Sequence, residues 1–255
     1  MIAGLVVGAL FAAAIAAGIP QYGRTLEMIS MRASVEDVQP FDTNLHVISQ
    51  RSPLSASDSE RQDGVVFSAV ETYFGEMVVD SIKTIKSRDH WWGFHGEGLR
   101  ISGEASQSSF LFMERLNDHV DYVTGVAPTD AVTELDGETV IEVSVFNDRA
   151  VMLQVGVGDV IDSRAVNRGL GMVRARITGT FERSEPDDIY WMGFGRTFLA
   201  PAIEGREQPL VMMTSSKSMF TEVAEADEGL PVTYGWFLYT DSAVIAGMKL
   251  DALDS

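Results

Sequence analysis

His90 and His95 flank Trp91, Trp92 and Phe94, the densest aromatic cluster of this 255-residue chain and the first place where imidazole chemistry could gather. A metal centre needs three or four such ligands converging on one point. If the stretch is a strand, however, an offset of five residues sends the two rings to opposite faces, and no close Asp or Glu at ligand spacing joins them on one side. The residues then read as packing or surface, with Trp91, Trp92 and Phe94 as candidate contacts to a partner or lipid. Gly156 and Gly158 in VGVGDV imitate a dinucleotide fingerprint. The third glycine is missing, and the segment follows a helical pattern and leads into a strand, the reverse of the required order. Ser215, Ser216 and Lys217 do not make Ser-x-x-Lys, and neither Gly-x-Ser-x-Gly nor His-Glu-x-x-His occurs. The acidic groups Glu185, Asp187, Asp188 and Glu225, Asp227, Glu228 lack the ligand order of a calcium loop and read as solvated loops. Zero Cys excludes disulfides, thiolate catalysis and iron–sulfur clusters. No catalytic, cofactor-binding or metal-ligating residue is assigned, and an enzyme is not supported.

The elements that would position these groups are mostly strands. Leu45 to Gln50 has strand character, and the Ser-rich stretch from Ser52 to Ser59 reads as a loop or linker. Val65, Val66, Ala69, Val70, Tyr73 and Phe74 recur at helical spacing after Asp63 and Gly64, and the pattern runs out near Gly75. From Met77 the period changes to two. VVDSIKTIKS, FHGEGLRISG and SSFLFMER form a strand-rich run, followed by strand candidates at His119 to Gly125, Val140 to Phe146, Asp159 to Ser163, Val173 to Phe181, Leu210 to Thr214 and Val232 to Thr240. Helices are fewer, with Asn147 to Val155 and Ser216 to Ala226 the best. Strands interrupted by single helices, without a βαβ rhythm, indicate an α+β fold. Against 19 Lys and Arg stand 37 Asp and Glu, a net charge of −18 that repels phosphate and excludes nucleic acid as the main partner.

The first 23 residues carry no charge, and from Met1 to Ile19 nearly every side chain is apolar. About 20 such residues span a bilayer, and Tyr22 stands where interfacial aromatics sit. Gly4 and Gly8 form a small-xxx-small step that lets a second helix approach. A cleaved signal peptide should begin with a basic n-region, yet no Lys or Arg precedes Arg24. A soluble helix this apolar would need protein on every side. The organisation expected is a transmembrane helix over 1–20, a juxtamembrane stalk helix over 21–42 and an extracytoplasmic domain over 43–255. The stalk carries Met28, Met31, Val35 and Val38 on one stripe and an Arg32–Glu36 pair, and Pro40 ends it.

An apolar helix, a stalk and an α+β outer domain together resemble the first transmembrane helix and periplasmic core domain of FtsX-like or MacB-like ABC transporter permeases. His119 to Gly125 through Pro128 is similar to that family's hvxxvxGxxP segment. IEVSVFNDRAVMLQVGVGD then matches its strand, its helix (here with Ala150) and its Val-Gly-Asp turn at Gly158 and Asp159. Val173 to Trp191 matches the strand that ends in a vvGxfxpxdpxdpyW pattern, with Gly179 and Trp191 at its marked positions. The resemblance implies a mechanical coupler in the cell membrane with no catalytic residues of its own. Its expected partners are an ABC ATPase subunit, other permease segments or a second permease copy, and an extracytoplasmic protein or lipid. Physically, the match makes Asn147 to Val155 a helix on the sheet, puts Val173, Ala175, Ile177 and Gly179 on one strand face, and makes Trp191 a cap on the core. After Ile19 no second uncharged run of membrane length occurs, so the chain looks like an N-terminal fragment or a shortened relative. A self-standing single-pass sensor and an anchored extracellular hydrolase are the other readings.

Overall fold

The computed structural model describes residues 44–101, 103, 106–166, 171–191, 209–241 and 244, with Arg51 placed by its backbone only. The expected membrane helix over 1–20 and the stalk over 21–42 lie outside the described residues. Among the described residues no helix is long and apolar enough to cross a membrane.

Eleven strands form one mixed sheet. They are β1 (Leu45–Pro53), β2 (Val78–Lys86), β3 (His90–Phe94), β4 (Gln107–Met113), β5 (Val120–Gly125), β6 (Val132–Leu135), β7 (Glu138–Phe146), β8 (Val160–Ala165), β9 (Val173–Arg183), β10 (Leu210–Met213) and β11 (Pro231–Thr240). Their order is β1-β11-β2-β4-β10-β7-β9-β8-β3, and β3 also pairs with β4. Strands β4, β10, β7, β9, β8 and β3 therefore close into a ring, from which β2, β11 and β1 extend as a wing. Closure removes the open edges of the ring, and among the described residues β1 remains as the edge of the wing. Trp92, Phe110, Val143, Ile161, Ala175 and Met212, one from each strand of the ring, are at most 0% exposed and fill its inside.

Among the described residues three helices complete the domain. Helix α1 (Ala56–Tyr73) lies on the wing, and α2 (Asn147–Leu153) packs on β7 and β9. An α-turn Ser216–Ser218, a π-helical stretch Met219–Val223 and a closing α-turn Ala224–Ala226 together make α3. Its Met219, Val223 and Ala226 join the core inside the ring. The opposite sheet face carries a second core containing Ile82, Leu111, Phe181, Tyr190, Trp191 and Phe237. Burial on both faces explains why β10 and β11 read as near-continuous apolar runs.

The mixed α+β class agrees with the sequence, but four local readings change. Ser52 to Ser59 is no linker. Ser52 and Pro53 finish β1, and Ser55 caps α1, its Oγ accepting from Asp58 N at 3.0 Å, so the helix starts nine residues before Val65. FHGEGLRISG is not a strand: only Phe94 belongs to one, and Gly96 and Gly98 turn the chain at φ +84° and +86°. Strand β6 shows no apolar alternation that would reveal it. Finally, Gly179 does not share a face with Val173, Ala175 and Ile177. Val143 pairs with Ile177 and Ser144 with Gly179, so Thr178 is bulged out and the parity of β9 reverses.

Candidate functional site

Most of the motif residues meet at one crossing on β9. Gly125 on β5 pairs directly with Gly179 on β9. A Cβ on Gly125, which holds φ +73°, would stand 2.0 Å from Thr178 O, and one on Gly179 would stand 2.4 Å from Val126 O. Only glycine lets these backbones approach so closely. Two residues before Gly179, Gly158 N donates to Ile177 O at 2.8 Å and Ile177 N to Asp159 O at 2.9 Å. Asp159 closes its own turn, accepting from Gly156 N through Oδ2 at 2.7 Å. This turn joins α2 to β8. Ala150 is a buried residue of α2, and its carbonyl accepts from Val155 N at 2.9 Å. Pro128 lies half-buried in the connection that leaves the crossing. These residues knot β5, β8, β9 and α2 together. Trp191 lies apart from the knot, 2% exposed in the second core, with its ring edge-on to Tyr190 at 4.7 Å.

The aromatic stretch divides between inside and outside. Trp92 is fully buried in the ring, so it is unavailable to a partner, a correction forced by the closure of β3 onto β4. The Arg100 guanidinium sits 4.4 Å from its ring centroid, a cation–π contact at the barrel rim. Trp91 and Phe94 are half-buried and keep some surface. His90 and His95 do separate. His90 is buried against Asp227, with Nε2 3.1 Å from Oδ2 and both side chains 1% exposed. His95 follows β3 at the rim, between Asp162 and Asp136. Asp227 and Asp188 therefore do not stand in solvated loops. Asp188 Oδ2 accepts from His119 Nδ1 at 2.7 Å, beneath the stacked ring of Tyr190. Burial pushes the Asp188 carboxyl up, but the Tyr190 N–H and His119 outweigh it and hold it below the usual carboxylate range.

Sequence reasoning missed these His–Asp bridges because partners such as His90 and Asp227 stand 137 residues apart. Among the described residues no group of three or more His, Asp or Glu could hold a metal ion. Grooves among the described residues include a cleft of about 490 Å³ between Arg88 and Leu230 and another of about 540 Å³ between Arg174 and Glu225.

The chain enters and leaves the domain side by side. Leu45 pairs with Leu238, and Thr240 N donates to Asn44 Oδ1 at 3.0 Å. Asp241 N donates to Met77 O at 2.9 Å in the same place. Asn44 and Asp241 therefore lie at one pole of the described domain.

No family model matches the chain, and no curated protein matches it. The crystal structure of one domain of a protein described as a permease, from Porphyromonas gingivalis, is similar with a TM-score of 0.35 and 10% sequence identity, over 80% of this chain and 78% of that one.

Proposed function

We propose that the chain is the extracytoplasmic part of an FtsX-like or MacB-like ABC permease and couples ATP-driven motion inside the cell to a lipid, lipoprotein, peptide, drug or protein partner outside. The observation that carries this reading is the side-by-side departure of the chain at Asn44 and Thr240. A domain inserted between two membrane helices must return its chain to the pole where it began, and β1 against β11 does so. The uncharged run from Met1 to Gly23 supplies a segment of membrane length earlier in the sequence, separated from Asn44 by the expected stalk. The glycine crossing supports the reading too, since it makes a rigid joint of the segments that carry the family resemblance. No Walker A motif occurs in the chain, so ATP hydrolysis belongs to another subunit.

The test is purification of the tagged chain from the membranes of its own cell in mild detergent. Near-stoichiometric recovery of an ATPase bearing a Walker A motif is the expected result. Recovery of the chain from membranes without any ATPase would replace the coupler with a self-standing sensor. Recovery from the soluble fraction, with the apolar segment removed, would discard both.

A further inference from the structure

Strands β6 and β7 are joined by Asp136 and Gly137 at φ +54° and +78°, the two-residue Asp-Gly turn that suits a hairpin. Packing holds its tip weakly. Strand β6 pairs with β7, three of its four residues are exposed and the fourth is half-buried. Charge holds the tip instead. His95 stands just past β3, its backbone fixed by a bond to Val160 O at 2.9 Å. Its Nε2 lies 3.0 Å from Asp136 Oδ2 on the turn, and its Nδ1 lies 3.0 Å from Asp162 Oδ2 on β8. From β9, Arg174 donates to Asp162 Oδ1 at 2.8 Å and to Leu135 O at 2.9 Å, and stands 3.5 Å from Glu138.

Carboxylate oxygens only accept, so both ring nitrogens must donate. Only imidazolium carries two N–H groups. We propose that His95 is a proton-operated latch, which fastens the β6–β7 tip to the barrel rim when charged and releases it as the surroundings become alkaline. The bond that fails is the one to Asp136. Asp162 is 14% exposed and keeps Arg174 as a second partner, so a neutral ring keeps its single proton on Nδ1, whereas Asp136 is 71% exposed and has the water as an alternative. With His95 charged, the group of His95, Arg174, Asp136, Asp162 and Glu138 holds one more carboxylate than cation, and with it neutral the excess doubles. The hydrogen bond to Asp162, then that to Asp136, raise the His95 pKa above its ordinary 6.5, against desolvation and Arg174. The latch is therefore fully closed below that ordinary value and opens as pH rises through the raised one. The tip also forms a wall of the cleft of about 540 Å³, which Glu138 and Arg174 line together with Glu222 and Glu225 of α3 and Glu228 just past it. Release of the tip widens that cleft.

The experiment follows hydrogen exchange of the full chain in detergent from about pH 6 to about pH 9, corrected for intrinsic base catalysis, together with the His95 ring resonance, one of four histidines. Protection over residues 132–138 should fall about tenfold as His95 deprotonates. Asp136→Asn keeps the turn, because Asn also tolerates positive φ. It should bring the His95 titration toward its ordinary value and leave protection low at every pH. His95→Gln should leave protection over 132–138 unresponsive to pH. Protection that stays constant through the His95 titration, or that follows the wild-type profile in either variant, would overturn the latch.

Discussion

Gly125 and Gly137 both hold positive φ, at +73° and +78°, yet their surroundings differ. An added Cβ at Gly125 would collide with the Thr178 carbonyl, whereas at Gly137 it would meet nothing within 4 Å. Gly137→Ala should therefore cost only the strain of a left-handed L-residue, about 1 kcal/mol, and Gly125→Ala about 2–4 kcal/mol because the β5–β9 crossing must open as well. Urea unfolding of the two variants measures the difference, and equal losses would show that the crossing relaxes. Trp191, 2% exposed against Tyr190, should cost about 3–5 kcal/mol when replaced by Ala. A melting shift within error would mean that the second core closes over the gap. The pH dependence of stability is set at this scale too. Asp188, held low, contributes stability that is full above its ordinary 3.8 and is lost as pH falls through its folded value. His95, held high, contributes below 6.5 and is lost on the alkaline side. Chemical denaturation should show these two contributions together between about pH 4 and about pH 6.5, and Asp188→Asn should flatten the acid limb alone. An unchanged acid limb in that variant would assign acid unfolding to other carboxylates.

Helix α1 shows how an element can be held by its ends and one polar seam. Of its 18 residues only Ser59 and Val66 are buried. Asp63 accepts from Lys83 Nζ at 2.5 Å and from Trp236 Nε1 at 2.9 Å, tying the helix to β2 and β11. Below it, Tyr234 donates to Pro53 O at 2.8 Å. With so little apolar burial the N-cap matters. Ser55→Ala should cost about 1 kcal/mol and speed exchange in the first turn before the rest of the helix, and uniform exchange along α1 would mean that the helix opens as one unit. The helix also marks where the sequence was legible. Val65 to Phe74 carried helical spacing, but the half before Asp63 has no apolar stripe, and only the Ser55-to-Asp58 spacing signalled its start. Most strands were legible from alternation or apolar runs, as were the burial of Trp191 and the helix expected over Asn147 to Val155, which ends at Leu153. What the sequence withheld is non-local. Closure of the ring depends on β4 meeting β3, β2 and β10 at once, and the reversed parity of β9 depends on its register against β7. The glycines at 125 and 179 were visible as a motif, while the reason for them, one backbone laid across another, was not.

At the scale of the whole molecule, the position of the two ends decides how the domain bears load. Strands β1 and β11 are antiparallel, and Asn44 and Thr240 meet at one end of the pair. Tension applied between those ends loads the ladder at its first rung, so its hydrogen bonds break one after another. The same ladder pulled from Pro53 and Thr240, at opposite ends of the pair, is loaded along its length, and its bonds from Leu45↔Leu238 to Pro53↔Pro231 must yield together. If the domain is the coupler proposed above, attached through its two ends, it is poorly built to carry tension between them. It can carry a push or a tilt from that pole outward, because the ring, with its interior filled from six strands and its β5–β9 crossing locked by glycines, moves as one body. The chain contains zero Cys, so single cysteines introduced at chosen positions provide unique handles for single-molecule pulling. Handles at Asn44 and Asp241 should peel β1 from β11 at a clearly lower force than handles at Pro53 and Asp241. Equal forces in the two geometries would mean that the wing does not unzip. The load would then pass straight from Asn44 to Asp241, and the domain would work as a strap between its attachments instead of a lever raised above them.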